Sequence, residues 1–132
     1  MQLPSLILAV ALAATLSGCA HTVDWIQSGP QFPQTDASRI EVFSRKEDTK
    51  RPWGVIGLIH SPYVPVSKRG NLSSYRENAR VQAAQHGADA VILFERVRGG
   101  DITKKTEPEV NLWGYAIKYT DTLNEQNSPQ AR

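Results

Sequence analysis

The chain has 132 residues, 15 Lys and Arg against 13 Asp and Glu, a net charge of +2, and 40% hydrophobic residues. So slight a positive charge, scattered among acids as in Arg45-Lys46-Glu47-Asp48, excludes the concentrated basic footprint of a nucleic-acid-binding protein. The length suits one small domain with tails, and a single cysteine excludes an intramolecular disulfide.

From Leu3 to Leu16 the chain is apolar apart from Pro4, Ser5 and Thr15. That run is shorter than a membrane span of about 20 residues and suits the core of an export signal. It ends in Leu16-Ser17-Gly18-Cys19: an aliphatic residue, two small ones, and the sole cysteine. This stretch resembles the lipobox of bacterial lipoproteins. It departs from the usual pattern in one respect, because Met1-Gln2-Leu3-Pro4-Ser5 carries no basic side chain. The resemblance implies that Leu16, Ser17 and Gly18 are read by a signal peptidase and that residues 1–18 are removed. It also implies a thioether-linked diacylglycerol on the Cys19 sulfur and usually a third acyl chain, such as palmitate, on its amine. Two or more chains anchor a protein stably. The next residue is Ala20 rather than aspartate, which in enteric-type sorting implies the outer membrane, facing the periplasm.

Residues 19–38 carry turn and breaker signals, Ser28-Gly29-Pro30 and Pro33-Gln34-Thr35-Asp36, with no apolar period. They predict a flexible tether. Val23, Trp25 and Ile26 interrupt it, and Trp25 either rests at lipid headgroups or packs on the domain. Arg39–Ser44 alternates and predicts a first strand. Trp53–His60 predicts a second, with Gly54 and Gly57 marking a bulge or a close backbone approach. A hairpin of these two is the expected pairing. In the long loop that follows, Tyr63, Val64 and Val66 can lie across a sheet edge.

The clearest helix comes next. Ser74 and Glu77 have capping-box spacing, with Ser73 an alternative cap. Leu72, Tyr75, Ala79 and Ala83 form a stripe at intervals of three and four. Gly87 stands where a left-handed residue closes a helix. Val91-Ile92-Leu93-Phe94 then reads as a central strand, and Leu112–Tyr119 alternates as the last one. Gly99-Gly100 lies in the polar loop between them, where substitution is expected to be tolerated. Residues 121–132 read as a disordered tail.

The expected fold is therefore α+β: a small four-stranded mixed sheet, β-β-α-β-β, with one covering helix over residues 39–120, able to fold alone. A right-handed crossover places the second and third strands parallel. With ten aromatics in the chain, Trp53 and Trp113 are the first choices for its core.

The residues Ala79-Arg80, His86-Gly87-Ala88-Asp89-Ala90-Val91-Ile92 and Trp113-Gly114-Tyr115-Ala116-Ile117-Lys118 resemble two related groups. These are the YbjQ-like proteins, often labelled heavy-metal-binding, and the Rcs-type envelope stress-sensor lipoproteins. The resemblance covers roughly residues 39–120 and implies a small sheet with one helix. Rcs-type sensors carry bridged cysteines in the domain. This chain has none there, so disulfide-dependent sensing does not carry over.

No catalytic constellation stands out. Ser73, Ser74, Asp89 and the histidines share no Gly-x-Ser-x-Gly elbow, and His21, His60 and His86 share no ligand spacing. No cofactor and no metal site is expected. What remains is a binding surface. One helix leaves the other sheet face to loops or to a partner, and Tyr63, Trp113, Tyr115 and Tyr119 are its candidate residues. Lys68-Arg69 and Lys104-Lys105 either touch anionic lipid or are solvated loops. The sequence thus predicts a non-enzymatic, lipid-anchored envelope protein with a binding, sensing or assembly role. Its partners would be membrane lipid through Cys19 and an envelope protein or cell-wall fragment. A small metal- or ligand-binding envelope protein is the alternative.

Overall fold

The structure is a computed structural model that describes residues 21–127. Its elements are β1 (Asp24–Gln27), β2 (Glu41–Phe43), β3 (Trp53–His60), β4 (Val64–Pro65), α1 (Leu72–Gln85), β5 (Ala90–Arg98), β6 (Glu109–Tyr119) and α2 (Thr120–Asn127). The fold is α+β, one mixed sheet with one main helix. The sheet has six strands rather than four, in the order β1-β3-β6-β5-β2, and β4 also pairs with β6. The two extra strands, β1 and β4, have four and two residues. Segments so short show no period, and they exist only because a longer strand offers them an edge.

The expected hairpin of the first two sequence-predicted strands does not form. β2 pairs in parallel with β5, and β3 pairs antiparallel with β6. The reason is β6, an eleven-residue strand that takes β5 along one edge, from Ala90↔Ile117 to Arg98↔Glu109. Its other edge takes β3. The crossover from β3 through α1 to β5 does give parallel strands, but β6 lies between them. The bulge expected near the glycines falls between Val55 and Gly57. Ser28 and Gly29 both donate their N–H groups to the Ile56 carbonyl there, each at 3.1 Å.

One sheet face carries α1. Leu72, Tyr75, Ala79, Ala83 and Ala84 are buried, and they pack with Ile56, Ile59, Val91, Leu93, Val110, Leu112 and Ala116. Alanines at the contact let the helix axis approach the sheet. The core is thus mainly aliphatic. Trp53 and Trp113, expected in it, are only half-buried and lie on the opposite face.

The helix start departs from the capping-box reading. A 3-10 stretch, Val66–Asn71, runs directly into α1, and Asn71 already has helical angles. Ser74 is therefore inside the first turn, Ser73 Oγ donates to the Gly70 carbonyl at 3.0 Å, and Glu77 is held by Arg80 at 2.6 Å. The helix end is as expected. Gly87 has φ +84°. Its N–H donates to Ala84 O at 3.0 Å and that of Ala88 to Ala83 O at 2.9 Å, the hydrogen-bond pair of a Schellman motif.

Within the expected tether, residues 21–38 are built into the domain. β1 pairs with β3 from Asp24↔His60 to Gln27↔Gly57. Val23 is 4% exposed, inside the main core cluster. Trp25 packs on the domain: an added Cβ at Gly57 would fall inside its ring, and it meets His86 edge-on at 4.1 Å. Thr35 donates its N–H to Ala84 O at 2.9 Å and its hydroxyl to Ala88 O. Breaker residues thus shape a strap with specific partners, which composition alone does not distinguish from a free linker.

The first part of the expected disordered tail is likewise structured. Residues 120–127 form α2, fixed where the Thr120 N–H donates to Pro52 O at 3.0 Å and Arg51 grips Asp121 at 2.7 Å. That grip holds the Asp121 carboxyl below the usual carboxylate range. The stability it adds is present at neutral pH and is lost as pH falls through that lowered value. Among the described residues no helix is long and apolar enough to cross a membrane.

Candidate functional site: the open face of the sheet

Alternation along each strand decides what the face opposite α1 displays. β6 contributes Trp113, Tyr115, Ile117 and Tyr119. The registers place Leu58 and Ile92 beside Tyr115, His60 and Phe94 beside Trp113, and Trp53 beside Tyr119. β1 extends the rows with Ile26 next to Leu58 and Asp24 next to His60.

The two ends of this face differ. At the Tyr119 end, residues 44–52 fold over the sheet. Thr49 Oγ1 accepts from Trp53 Nε1 at 2.8 Å, and Tyr119 is buried with Ala90, Ile92 and Ile117. Burial, with Glu41 nearby, pushes the Tyr119 hydroxyl pKa up, while Arg51 pulls the other way. Toward Trp113 no element covers the rings among the described residues. Trp113, Tyr115, Phe94 and Leu58 are half-buried and Ile26 is 47% exposed.

All four aromatics expected to bind a partner share one feature. A cation stands over each: Arg51 over Tyr119 at 4.0 Å, Lys46 over Tyr115 at 5.3 Å, Arg96 over Trp113 at 5.1 Å, Arg98 over Tyr63 at 3.8 Å. The outer two pairs are internally committed, because Arg51 also binds Asp121 and Arg98 also binds Glu109. Tyr119 is buried as well, so neither outer pair is the centre of a surface. The inner two are different. Lys46 and Arg96 are exposed and lie in no ion pair among the described residues. They flank Tyr115 and Trp113, and His60 stacks on Trp113 at 5.5 Å with its Nδ1 3.4 Å from Asp24. Flat rings beside unpaired cations suit an extended partner that brings both apolar and anionic groups. Sequence reading finds the rings but not Lys46 and Arg96, and it names His60 only among the histidines that share no ligand spacing. The positions of these three depend on strand order, which no local pattern carries.

Elsewhere, polar groups serve the fold. A cleft of ≈ 370 Å³ lies among Asp36, Arg39, Glu41, Arg51, Asp89 and Tyr119. Asp89, in its lining, accepts from the Tyr119 N–H at 2.8 Å and the Lys118 ammonium at 3.2 Å, and that ammonium also donates to Gly87 O at 2.9 Å. The pair ties the helix-to-strand turn to β6 and is 10% and 20% exposed. Asp89→Ala is expected to cost about 3 kcal/mol in denaturant titration, because it strands a nearly buried ammonium. Adding Lys118→Met should restore part of the loss. A wild-type midpoint for Asp89→Ala would show that the pair does not hold this turn. Ser73 serves the helix start and Asp89 serves this turn. The histidines are dispersed, His21 on Tyr75, His60 on Trp113 and His86 on Trp25. Among the described residues no three His, Cys, Asp or Glu side chains cluster as a metal site would need. Leu16, Ser17, Gly18 and Cys19 lie outside the described residues.

No protein-family description and no curated protein matches the chain. Among solved structures the chain is similar to the crystal structure of the Francisella virulence factor FvfA. The two are 26% identical with a TM-score of 0.50, over 71% of this chain and 94% of FvfA. That likeness supports a shared arrangement of sheet and helix.

Proposed function

We propose that this chain is a non-enzymatic lipoprotein of the bacterial envelope. It is anchored through Cys19 to the periplasmic face of the outer membrane and binds a partner on the open face of its sheet. The anchor rests on Leu16-Ser17-Gly18-Cys19. The binding role rests on one observation above all: among the described residues, Trp113 and Tyr115 stand on an uncovered sheet face beside two cations that lie in no ion pair. The chemistry fits an envelope protein or cell-wall fragment with carboxylates or phosphates along an extended stretch. FvfA is a virulence factor, and virulence is the setting in which such a protein would act.

A photo-crosslinking residue placed at Trp113 or Tyr115 should trap one discrete partner in intact cells. The same residue at the exposed Ser74 on α1 should not. Arg96→Glu with Lys46→Glu should abolish the crosslink while leaving the unfolding midpoint within about 0.5 kcal/mol of wild type, as expected for exposed sites. Equal crosslinking from Ser74, or none from either ring position, would overturn the binding face.

A further inference from the structure

Ile102 is the most exposed large hydrophobic residue among those described, 93% open to solvent. It does not sit on a loose loop. Asp101 Oδ1 accepts from the Thr103 N–H at 2.9 Å, the Thr103 hydroxyl and the Lys104 N–H, and the Thr106 N–H returns to Asp101 O at 3.1 Å. A braced turn thus holds an isoleucine out into solvent, with Lys104 and Lys105 soon after it.

The topology brings this turn to one particular end of the domain. It joins the last residue of β5 to the first of β6. The neighbouring 3-10 stretch is fastened to it, with the Val66 N–H on Pro108 O at 3.0 Å and Ser67 Oγ on Glu107 at 2.7 Å. Lys68 therefore joins the same end. So does the route of the chain toward Cys19. β1 runs parallel to β6, and its first residue is level with Trp113, early in β6. Upstream, Val23 binds Asn78 and Gln82, while His21 meets Tyr75 at 5.0 Å. Followed backward, the chain moves toward the N-terminus of α1, which is the turn's end of the sheet. Cys19 is two residues beyond His21, a reach of at most about 7 Å.

We propose that this end of the domain lies on the phospholipid surface, with Ile102 entering the headgroup–acyl boundary and Lys68, Lys104 and Lys105 meeting lipid phosphates. The proposal rests on the anchor reading above, since Cys19 supplies the bilayer. So short a connection leaves the domain little freedom to stand away from the membrane. An exposed apolar side chain flanked by cations matches the interface, where it gains burial and each lysine adds about fivefold preference for anionic lipid. The three lysines lie in no ion pair among the described residues. The orientation leaves Trp113 and Tyr115 on a side wall, open to the periplasm.

The test uses the full acylated chain in vesicles of phosphatidylethanolamine and phosphatidylglycerol. Cys19 is consumed by lipid, so Ile102→Cys supplies one free thiol for an environment-sensitive fluorophore. Lys50→Cys, exposed at the opposite end, is the reference. The label at 102 should shift to the blue and be quenched by brominated acyl chains, and the label at 50 should do neither. Equal behaviour at both positions, in a chain whose mass shows the acyl groups, overturns this orientation and leaves the anchor standing. A blue shift without bromine quenching places Ile102 against protein and also overturns it. A mass without acyl groups overturns both readings.

Discussion

A chain beginning at Ala37 is expected to show no cooperative unfolding transition, whereas one beginning at Ala20 should show a single sharp one. The sequence alone places the folding unit at residues 39–120, and the structure moves its start to the strap before it. Removing residues 21–36 deletes Val23 from the core, uncovers the edge of β3 and strips Trp25 from Gly57. It also removes the Thr35 hydroxyl that Ala88 O accepts, and one of two backbone N–H donors to Ala84 O, the other being the Gly87 N–H. Burying one large apolar side chain is worth about 1.5–3 kcal/mol. A buried carbonyl left unpaired costs about 1–3 kcal/mol. Together these losses rival the whole stability of a small domain, about 5–15 kcal/mol. A cooperative transition at the same midpoint in both chains would show that the strap only decorates the domain.

Gly87→Val is expected to cost more than about 3 kcal/mol. The angle of φ +84° is strained for any side chain and worst for a β-branched one. Space compounds the strain: a Cβ there would lie 2.5 Å from Phe32 O and 2.6 Å from Pro33 O. Those are backbone atoms of the strap, so making room for the added side chain would mean lifting the segment that closes the helix. The far-loop reference suggested by sequence, Gly100, is unsuitable, because a Cβ there would meet the Thr106 carbonyl and lie 2.6 Å from the Glu107 carbonyl carbon. Gly99 has open space and is the right comparison. Denaturant titration should separate Gly87→Val from Gly99→Val widely. Equal midpoints would mean that the helix end is misplaced and that α1 does not feed β5 through this turn.

The parts of the fold legible in the sequence were those with a local cause. The stripe Leu72, Tyr75, Ala79, Ala83 is the buried face of α1, and Gly87 closes it, because periodicity and chirality act within a few residues. The four-residue apolar run from Val91 is a central strand for the same reason. Pairing was not legible. Nothing near Glu41–Phe43 indicates that it joins β5, since that choice is made when β6 fills the place beside β3. The strap was missed because Thr35 and Trp25 act on partners far along the chain, at Ala84, Ala88 and Gly57. At the candidate site the rings were visible by type and spacing. The cations over them were not, since Lys46 and Arg96 come from separate elements that only the sheet order brings together.

Metabolic labelling with a fatty-acid probe decides whether this chain is a lipid-anchored envelope protein. Wild type should take up label and fractionate with the outer membrane. Cys19→Ser should lose the label and the outer-membrane fractionation. Equal labelling of the two, or an unlabelled wild-type chain that retains residues 1–18, would contradict the anchor and with it the location proposed for the binding face.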